Sequence, residues 1–324
     1  MLLTLLTVVT LAAQTQTPSW PREAEQPNAP KPAPAREVVL PIIGEYEATG
    51  GAHLYVLESG GRPWAIIDRG ERQAIDNAKI NRAVDGTVLS IELQGVTYAR
   101  LQVGPEGGGQ LKVNPIRNVP EVLKESLGVA PPKETGDFKP ADLVELATLD
   151  PTIKLDIRYA TTNNFLGQQF YAQARAFLQR PAAEAVLRVS QQLKPLGYGL
   201  LIHDGYRPWY VTRTFYECTP PDKKWLVANP ASGSKHNRGA AVDLSLYDLK
   251  TGAVIEMPST YDESTPRAYA FYPGGTDLQR WHRALLRRLM EAEGFTVNPE
   301  EWWHFDFKDW KSYAIGNITF EAIK

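Results

Sequence analysis

The sequence predicts an α+β domain with an antiparallel sheet over residues 142–324, preceded by a small all-β module over residues 37–118. Three observations carry this prediction. In the longer segment, helical and strand-like patterns interleave through hairpin-like connections. In the shorter one, β-rich runs of a few residues are separated by Gly-Gly, Asp-Gly and other glycine-rich turns. The length of 324 residues and the hydrophobic content of 43% allow a large core, as in globular proteins.

The N-terminus predicts export. Residues 1–16 form an apolar run of the length of a secretory signal core, end in small residues, and are too short to span a bilayer. No Lys or Arg precedes the run, although signal peptides usually carry one, so a buried N-terminal helix or strand is the alternative. Residues 17–36 are a Pro/Ala-rich linker. We expect a periplasmic or secreted protein without a membrane span in its mature chain, and a cytoplasmic one if the segment is not a signal.

The predicted β module has no pattern typical of chemistry. His53 is its one histidine and has no partner recognisable from the sequence, so we interpret residues 37–118 as a structural or binding appendage. Residues 119–141 follow as a predicted second linker, with Pro131 and Pro132 near its centre.

The elements of the longer domain are recognisable from periodicity and from their end signals. An apolar stripe predicts a helix from Pro181 to about Lys194, and the run GLLIHD predicts a short buried strand after it. A second helix is predicted from Asp277 to Glu293, with Gly294 as its C-terminal stop. The run WWHFDF predicts a final strand that follows a turn at Asn298.

Composition argues against two classes of function. The formal net charge of −2, with no basic stripe between aromatic residues, gives no reason to expect a nucleic-acid partner. Cys218 is the only cysteine, so an intrachain disulfide and a cysteine zinc site are both excluded. Its surroundings, FYECTPPDKK, contain nothing typical of an activated nucleophile.

Chemistry is indicated first by residues 234–248, SKHNRGAAVDLSLYD. Apolar residues alternate with polar ones from Val242 onward, which on a strand places Asp243 on the face opposite the aliphatic side chains. His236 comes from the preceding loop, and Gly239 gives the backbone freedom to turn the imidazole toward Asp243.

The second half of the candidate site is EEWWHFDF. On a strand, His304 and Asp306 share one face, whereas Glu301 lies three residues before His304 and belongs to the other face. A turn that runs into Glu301 removes this obstacle. Two histidines and an aspartate suit zinc, and a nearby carboxylate that is not a ligand suits a general base. Spacing alone also allows an ordinary structural role for these polar side chains.

Four stretches carry a family resemblance. They are S-x-H-x-x-G-x-A-x-D (234–243), EWWH (301–304), LDIRYATTNNFLG (155–167) and YGLLIHDGYRP (198–208). In this order they resemble the zinc-dependent D-alanyl-D-alanine dipeptidases of peptidase family M15, which are the vancomycin-resistance-type enzymes of the DD-peptidase/hedgehog fold. The resemblance covers most of residues 142–310 and implies that fold for the longer domain.

The resemblance implies roles for the metal and catalytic residues. It implies one zinc ion per chain, held by His236, Asp243 and His304, with Glu301 as general base and acid. Glu300 is the neighbouring rival, but the family places its carboxylate three residues before the histidine. Arg207 matches the arginine that stabilises the oxyanion, and a structural ion pair with Asp204 is the alternative.

The resemblance also implies how the substrate is held. Asp262 matches the family's acceptor for the dipeptide's free amine, and Tyr159 and Ser234 match residues that line the same end. Here Tyr261 precedes Asp262, where the family tends to have phenylalanine. A solvated loop acid is the alternative for Asp262. We expect His203 to be a core residue or a neighbour of the metal ligands, and His282 to lie on an exposed helix face.

We therefore predict an exported zinc metallopeptidase that hydrolyses D-Ala-D-Ala and related small D-configured dipeptides. Two alternatives remain open. One is a D,D-carboxypeptidase or endopeptidase acting on peptidoglycan stem peptides or peptidoglycan-derived fragments. The other is a non-catalytic, zinc-bearing protein that binds cell wall. An acid at Asp262 argues against the first, and retention of Glu301 and Arg207 argues against the second.

Overall fold

The computed structural model describes residues 30–103 and 111–323. The predicted signal segment 1–16 and most of the predicted linker 17–36 lie outside these residues. Within the described ranges, none of the helices combines the length and the apolar content that crossing a bilayer requires.

The N-terminal β-rich segment forms one seven-stranded sheet in which every neighbouring pair is antiparallel. Its spatial order is β4-β3-β2-β1-β7-β6-β5. A separate cluster of buried aliphatic and tyrosine side chains, including Tyr46, Leu54 and Ile91, fills its own small core. The strands are β1 (Gly44–Ala48), β2 (His53–Ser59), β3 (Arg62–Ile67), β4 (Gln73–Ala74), β5 (Lys79–Arg82), β6 (Val88–Leu93) and β7 (Val96–Arg100).

The second sheet has the order β13-β14-β12-β11-β9 and is antiparallel except for the edge pair of β9 and β11. Both faces of its central strand β12 are buried, so Asp243 lies beneath other elements of the fold and not at an open surface. A short pair of β8 and β10 lies beside this sheet. These strands are β8 (Leu143–Glu145), β9 (Lys154–Leu155), β10 (Phe177–Gln179), β11 (Tyr198–Asp204), β12 (Ala241–Asp248), β13 (Phe295–Asn298) and β14 (Glu301–Phe307).

In the described part of the chain, five α-helices accompany the sheets: α1 (Val119–Leu127), α2 (Leu146–Leu149), α3 (Arg180–Leu193), α4 (Trp209–Cys218) and α5 (Asp277–Ala292). The helices α3 and α5 confirm the two predicted from periodicity. A capping box between Thr276 and Gln279 starts α5, and Gly294, with φ 90°, follows its end. The predicted α+β class, with a β-rich unit before it, is confirmed.

Two expectations from the sequence are wrong. Residues 119–127 are not linker, because they form α1, and Val119 and Val122 are buried in the core of the larger unit. His282 does not lie on an exposed face. It is 5% exposed, and its Nε2 lies 2.9 Å from the Tyr198 hydroxyl. The neighbouring arginines suggested an exposed face, but Arg280, Arg283 and Arg287 are buried as well.

Candidate metal centre and active site

Three neighbouring strands of the second sheet build the candidate site. Asp243 of β12 lies directly opposite His304 of β14, as a cross-strand pair. Side chains in such pairs have their Cβ atoms about 5 Å apart, so their polar ends can meet. On the other side of β12, a bulge in β11 brings Asp204 opposite Asp243.

His236 reaches the same point from a single 3-10 turn, His236–Arg238, that precedes β12. The turn ends at Gly239, whose φ of 65° is left-handed. A Cβ at this position would also lie 2.7 Å from Leu143 Cδ2. Glycine is therefore required here by both conformation and space, and the turn that it permits directs the imidazole inward.

The three side chains bring one atom each to a common centre. His236 Nε2 lies 3.1 Å from His304 Nδ1 and 3.4 Å from Asp243 Oδ1. His304 Nδ1 lies 3.0 Å from the same Asp243 oxygen. Atoms with this spacing can bind one ion at bond lengths of about 2.0–2.2 Å. Within residues 30–103 and 111–323, this trio is a group of metal-ligating type.

The outer ring nitrogens have acceptors of their own. His236 Nδ1 donates to the Gly205 carbonyl oxygen at 2.8 Å, and His304 Nε2 donates to Asp306 Oδ1 at 3.0 Å. Lys235 in turn forms an ion pair with Asp306. Each imidazole therefore directs its other nitrogen to the centre, and that nitrogen would be the unprotonated one with a metal bound, as in histidine ligands of metals. The donor set fits a divalent metal.

Opposite charges determine the electrostatics of the trio. Burial raises the pKa of Asp243, but His236 and His304 outweigh this effect and hold that pKa well below its usual range. Burial lowers the pKa of His304, but hydrogen bonds to Asp243 and Asp306 raise it to about 10. The site therefore favours positive charge at its centre.

Glu301 lies beside the trio because β14 is irregular. Val297 of β13 pairs with Phe305, but the next residue, Asn298, pairs with Glu301. The bulge between these pairs turns Glu301 toward His304, and Glu301 Oε2 lies 3.8 Å from His304 Nδ1. Asn298 Nδ2 donates to the same oxygen at 3.1 Å. Burial and Asp243 raise the pKa of Glu301, while His304 opposes them.

Arg207 lines the same cavity as the trio. Its Nε and Nη2 lie 2.9 and 2.7 Å from Asp204 Oδ2, so the ion pair considered as an alternative exists. The guanidinium also packs over Tyr159, with Cζ 5.2 Å from the ring centre, and it lines the cavity at the trio. Asp204 thus fixes a cation that faces the cavity.

Asp262 also lines this cavity. Its backbone has a left-handed φ of 65°, and its Oδ2 is buried without a hydrogen-bond partner among the described residues. Burial, followed by the negative charges of Glu301 and Asp243, raises the pKa of Asp262 to about 7. A buried carboxyl oxygen needs a hydrogen-bond donor, and none of the described residues donates to this one.

A single cavity of about 340 Å³ unites the predicted residues. This volume lies at the lower end of the range of small-molecule sites. Tyr159 is buried beneath Arg207, and Ser234 Oγ accepts from the His236 backbone N–H at 3.2 Å. All of the site residues named from the sequence line it: Tyr159, Arg207, Ser234, His236, Asp243, Asp262, Glu301 and His304.

Two residues beside the site were not assigned a role from the sequence. Tyr261 is buried, donates from its hydroxyl to Asp243 Oδ2 at 3.3 Å, and stacks on His203 with ring centres 4.1 Å apart. Asp306 holds His304, as described above. The strand alternation already placed Asp306 on the face of His304, so this contact could have been predicted. The contacts of Tyr261 join a loop to strands β11 and β12 and had no signal in the sequence.

Comparison with known proteins places this architecture in one family. Residues 139–320 match the family model of peptidase M15, described as D-Ala-D-Ala dipeptidase. A D-alanyl-D-alanine dipeptidase of Escherichia coli is 32% identical over 174 residues, which cover 54% of this chain and 89% of the relative. Enzymes of the same name from Enterococcus faecium and Streptomyces coelicolor are 31% and 32% identical, covering 48% and 54% of this chain and 87% and 93% of theirs.

Proposed function

This chain belongs to the M15 family of D-Ala-D-Ala dipeptidases, which are hydrolases, and on that premise we propose that it is a zinc-dependent dipeptidase acting on D-Ala-D-Ala and related small D-configured dipeptides. One observation carries the proposal. A group suited to a metal, an adjacent carboxylate at Glu301 and an unpartnered acid at Asp262 line one cavity.

We assign the metal-binding role to His236, Asp243 and His304. Two neutral imidazoles and one carboxylate are a donor set that would hold a zinc ion. When bound, zinc supplies a Lewis acid that polarises the scissile carbonyl and lowers the pKa of water. The hydrogen bonds to Gly205 and Asp306 keep both histidines in the tautomer that this role needs.

Glu301 is the proposed general base and acid. It lies next to the metal-binding trio without belonging to it, and its raised pKa brings proton exchange closer to neutral pH. It takes a proton from the attacking water and gives it to the leaving amine. Arg207, held by Asp204, stabilises the negative charge that develops on the carbonyl oxygen.

The free amine of the substrate is the proposed partner of Asp262. An ammonium supplies the donors that the buried Asp262 Oδ2 lacks, and it favours the ionised carboxylate. Tyr159 and Ser234 line the same cavity and complete the proposed amine end. A blocked or extended N-terminus leaves the acid without its partner, so a preference for free dipeptides follows.

The test is release of D-alanine from D-Ala-D-Ala by the full chain after chelation and after reloading with zinc. We expect activity only in the reloaded protein. Release of D-alanine from stem pentapeptides in preference to the dipeptide would replace this proposal with a D,D-carboxypeptidase. Zinc binding without turnover of either substrate would identify a non-catalytic binder.

We also propose that the enzyme acts outside the cytoplasm, from the composition of residues 1–16 and of the linker after them. Fractionation of expressing cells tests this location. A chain that stays cytoplasmic with residues 1–16 intact would contradict it.

A further inference from the structure

The seven-stranded unit, residues 44–100 and here called the β module, is docked against the start of α5. The Glu58 backbone N–H donates to the Gly275 carbonyl oxygen at 3.0 Å, and Asp277 N–H donates to Glu58 Oε2 at 2.9 Å. Arg280 Nη2 donates to the Glu58 carbonyl oxygen at 2.7 Å. Glu58 is 1% exposed and Arg280 is 6% exposed. Buried polar groups with this many partners hold one fixed arrangement.

A second buried contact joins Glu45 of the β module to Tyr272. The Tyr272 hydroxyl donates to Glu45 Oε1 at 2.9 Å, and His53 Nε2 lies 3.1 Å from Glu45 Oε2. Glu45 and Tyr272 are 2% and 3% exposed, and the ring of Tyr55 packs edge-on against Tyr272. A carboxylate buried to this degree requires partners, and Tyr272 supplies one from the other side of the interface.

Tyr272 ends the segment that walls the active-site cavity. Residues 258–272, here called the wall loop, contain Asp262, and Tyr269 of the same loop lines the cavity. Arg267 Nη2 closes the loop on the Pro258 carbonyl oxygen at 2.8 Å. Two residues before Tyr272, Ala270 N–H donates to the Pro299 carbonyl oxygen at 3.0 Å, in the turn that leads to Glu301.

We propose that the β module is a brace for the active site, and that Glu45 and Tyr272 are positioning residues that fix the wall loop and the turn before Glu301. The inference rests on the proposed function only where it concerns the dipeptide. Glu45 of the module binds the Tyr272 hydroxyl and so fixes the end of the wall loop. The same loop places Asp262 in the wall of the cavity. The β module thus acts in substrate binding by the larger unit and not as a separable binding unit.

Hydrogen–deuterium exchange of the full chain tests the brace without any substrate. Tyr272→Phe removes the hydroxyl that reaches Glu45, and Tyr46→Phe is the matched control. The Tyr46 hydroxyl is also buried, but it donates to the carbonyl oxygen of Ile42, two residues before the module, at 2.8 Å. We expect Tyr272→Phe to speed exchange about fivefold or more over residues 258–272 and 298–301, and Tyr46→Phe to leave those residues unchanged.

Faster exchange confined to residues 44–100, or an equal effect of both variants on the wall loop, would overturn the inference. If Tyr272→Phe does not fold, Glu45→Gln takes its place, because it weakens the same contact from the other side. The same exchange pattern is expected for Glu45→Gln.

Kinetics supply the second readout. We expect Tyr272→Phe to raise the KM for D-Ala-D-Ala about threefold or more, because small misplacements of binding groups are costly. A merely structural role lowers the folded fraction, which reduces the apparent kcat and leaves KM unchanged. Unchanged KM with unchanged exchange would refute the brace. Absence of dipeptide cleavage by the unmodified chain would refute the proposed function, while the exchange experiment would still decide on the brace.

Discussion

Glu301 Oε2 and His304 Nδ1 lie 3.8 Å apart although the two residues are three positions apart in the same strand. A regular strand directs such residues to opposite faces. The bulge in β14 opposite Asn298 removes this conflict, as the register of β13 and β14 shows. This irregularity brings Glu301, the proposed base, next to His304 despite the spacing of three residues.

The first prediction separates these two glutamates. Glu301→Ala should lower kcat by about 10²–10⁴-fold and keep zinc, because it removes the proposed base and leaves the metal-binding trio intact. Glu300→Ala is the matched control and should keep kcat within about threefold of that of the unmodified chain. The measurements are kcat for D-Ala-D-Ala and zinc content. Full activity of Glu301→Ala would remove it from the mechanism.

The second prediction concerns zinc as a stabilising ligand. Zinc at about 1,000 times its Kd should stabilise the native state by about 4 kcal/mol and raise Tm by roughly 10 °C. His236→Ala should lose both zinc binding and this rise. His282→Gln is the control, since His282 is also a buried histidine but lies outside the trio. Thermal unfolding with and without zinc is the measurement, and an equal rise in both variants would place the metal elsewhere.

The third prediction is the pH dependence of KM. The pKa of Asp262 is raised to about 7, so the carboxyl is mostly neutral at pH 6 and mostly ionised at pH 7.5. The dipeptide's amine, with a pKa of about 7.7–8.0, stays largely protonated over this range. An ammonium binds the ionised acid, so KM should fall about fivefold from pH 6 to pH 7.5. Asp262→Asn should have a higher KM without this dependence. Retention of the same pH profile in Asp262→Asn would assign it to another group.

The fourth prediction tests the geometry of Arg207. Arg207→Lys keeps a positive charge but loses the planar group that Asp204 holds through two nitrogens. We expect kcat to fall by about 10²–10³-fold, with a smaller change in KM, because the oxyanion forms only as the reaction proceeds. Circular dichroism and Tm must show a folded variant. A folded Arg207→Lys with normal kcat would leave Arg207 with the ion pair as its only role.

The fifth prediction concerns stability in acid. Burial, and then the charge of Lys31, lowers the pKa of His282 to about 4, below its ordinary value of 6.5. A lowered histidine pKa means that the neutral form is favoured in the native state. Its stabilising effect is therefore complete above pH 6.5 and is lost as the pH falls toward 4.

His282→Gln removes this titration and keeps an acceptor for the Tyr198 hydroxyl. The quantity to follow is the free energy of unfolding of the variant minus that of the unmodified chain. This difference should increase by on the order of 1 kcal/mol when the pH is lowered from 7.5 to 5. Urea unfolding at both pH values is the measurement. A constant difference between the two proteins would show that His282 does not titrate in this range.

Much of the fold could be predicted because local patterns agree with the tertiary structure. The apolar stripe and end signals located α3 and α5, and alternation located β12 and the face of Asp243. Other features depend on contacts between distant segments. The helix α1 lies between a glycine-rich and a proline-rich stretch of sequence, and it forms because Val119 and Val122 are buried against the larger core.

The residues that line the site could be predicted from the sequence, whereas most of the contacts that support them could not. The cavity brings together all eight predicted site residues. The bulge in β14, the approach of Tyr261 to Asp243 and the docking of Glu45 on Tyr272 each join segments far apart in the chain, or depend on strand pairing. Periodicity and spacing carry no information about such contacts.

The most direct test of the account compares free D-Ala-D-Ala with N-acetyl-D-Ala-D-Ala as substrates of the zinc-loaded protein, with release of D-alanine as the readout. We predict cleavage of the free dipeptide and at least about a hundredfold lower kcat/KM for the acetylated one, because the blocked amine leaves the buried Asp262 unpartnered. Equal or faster cleavage of the acetylated dipeptide would contradict it and would identify an enzyme open to longer stem peptides.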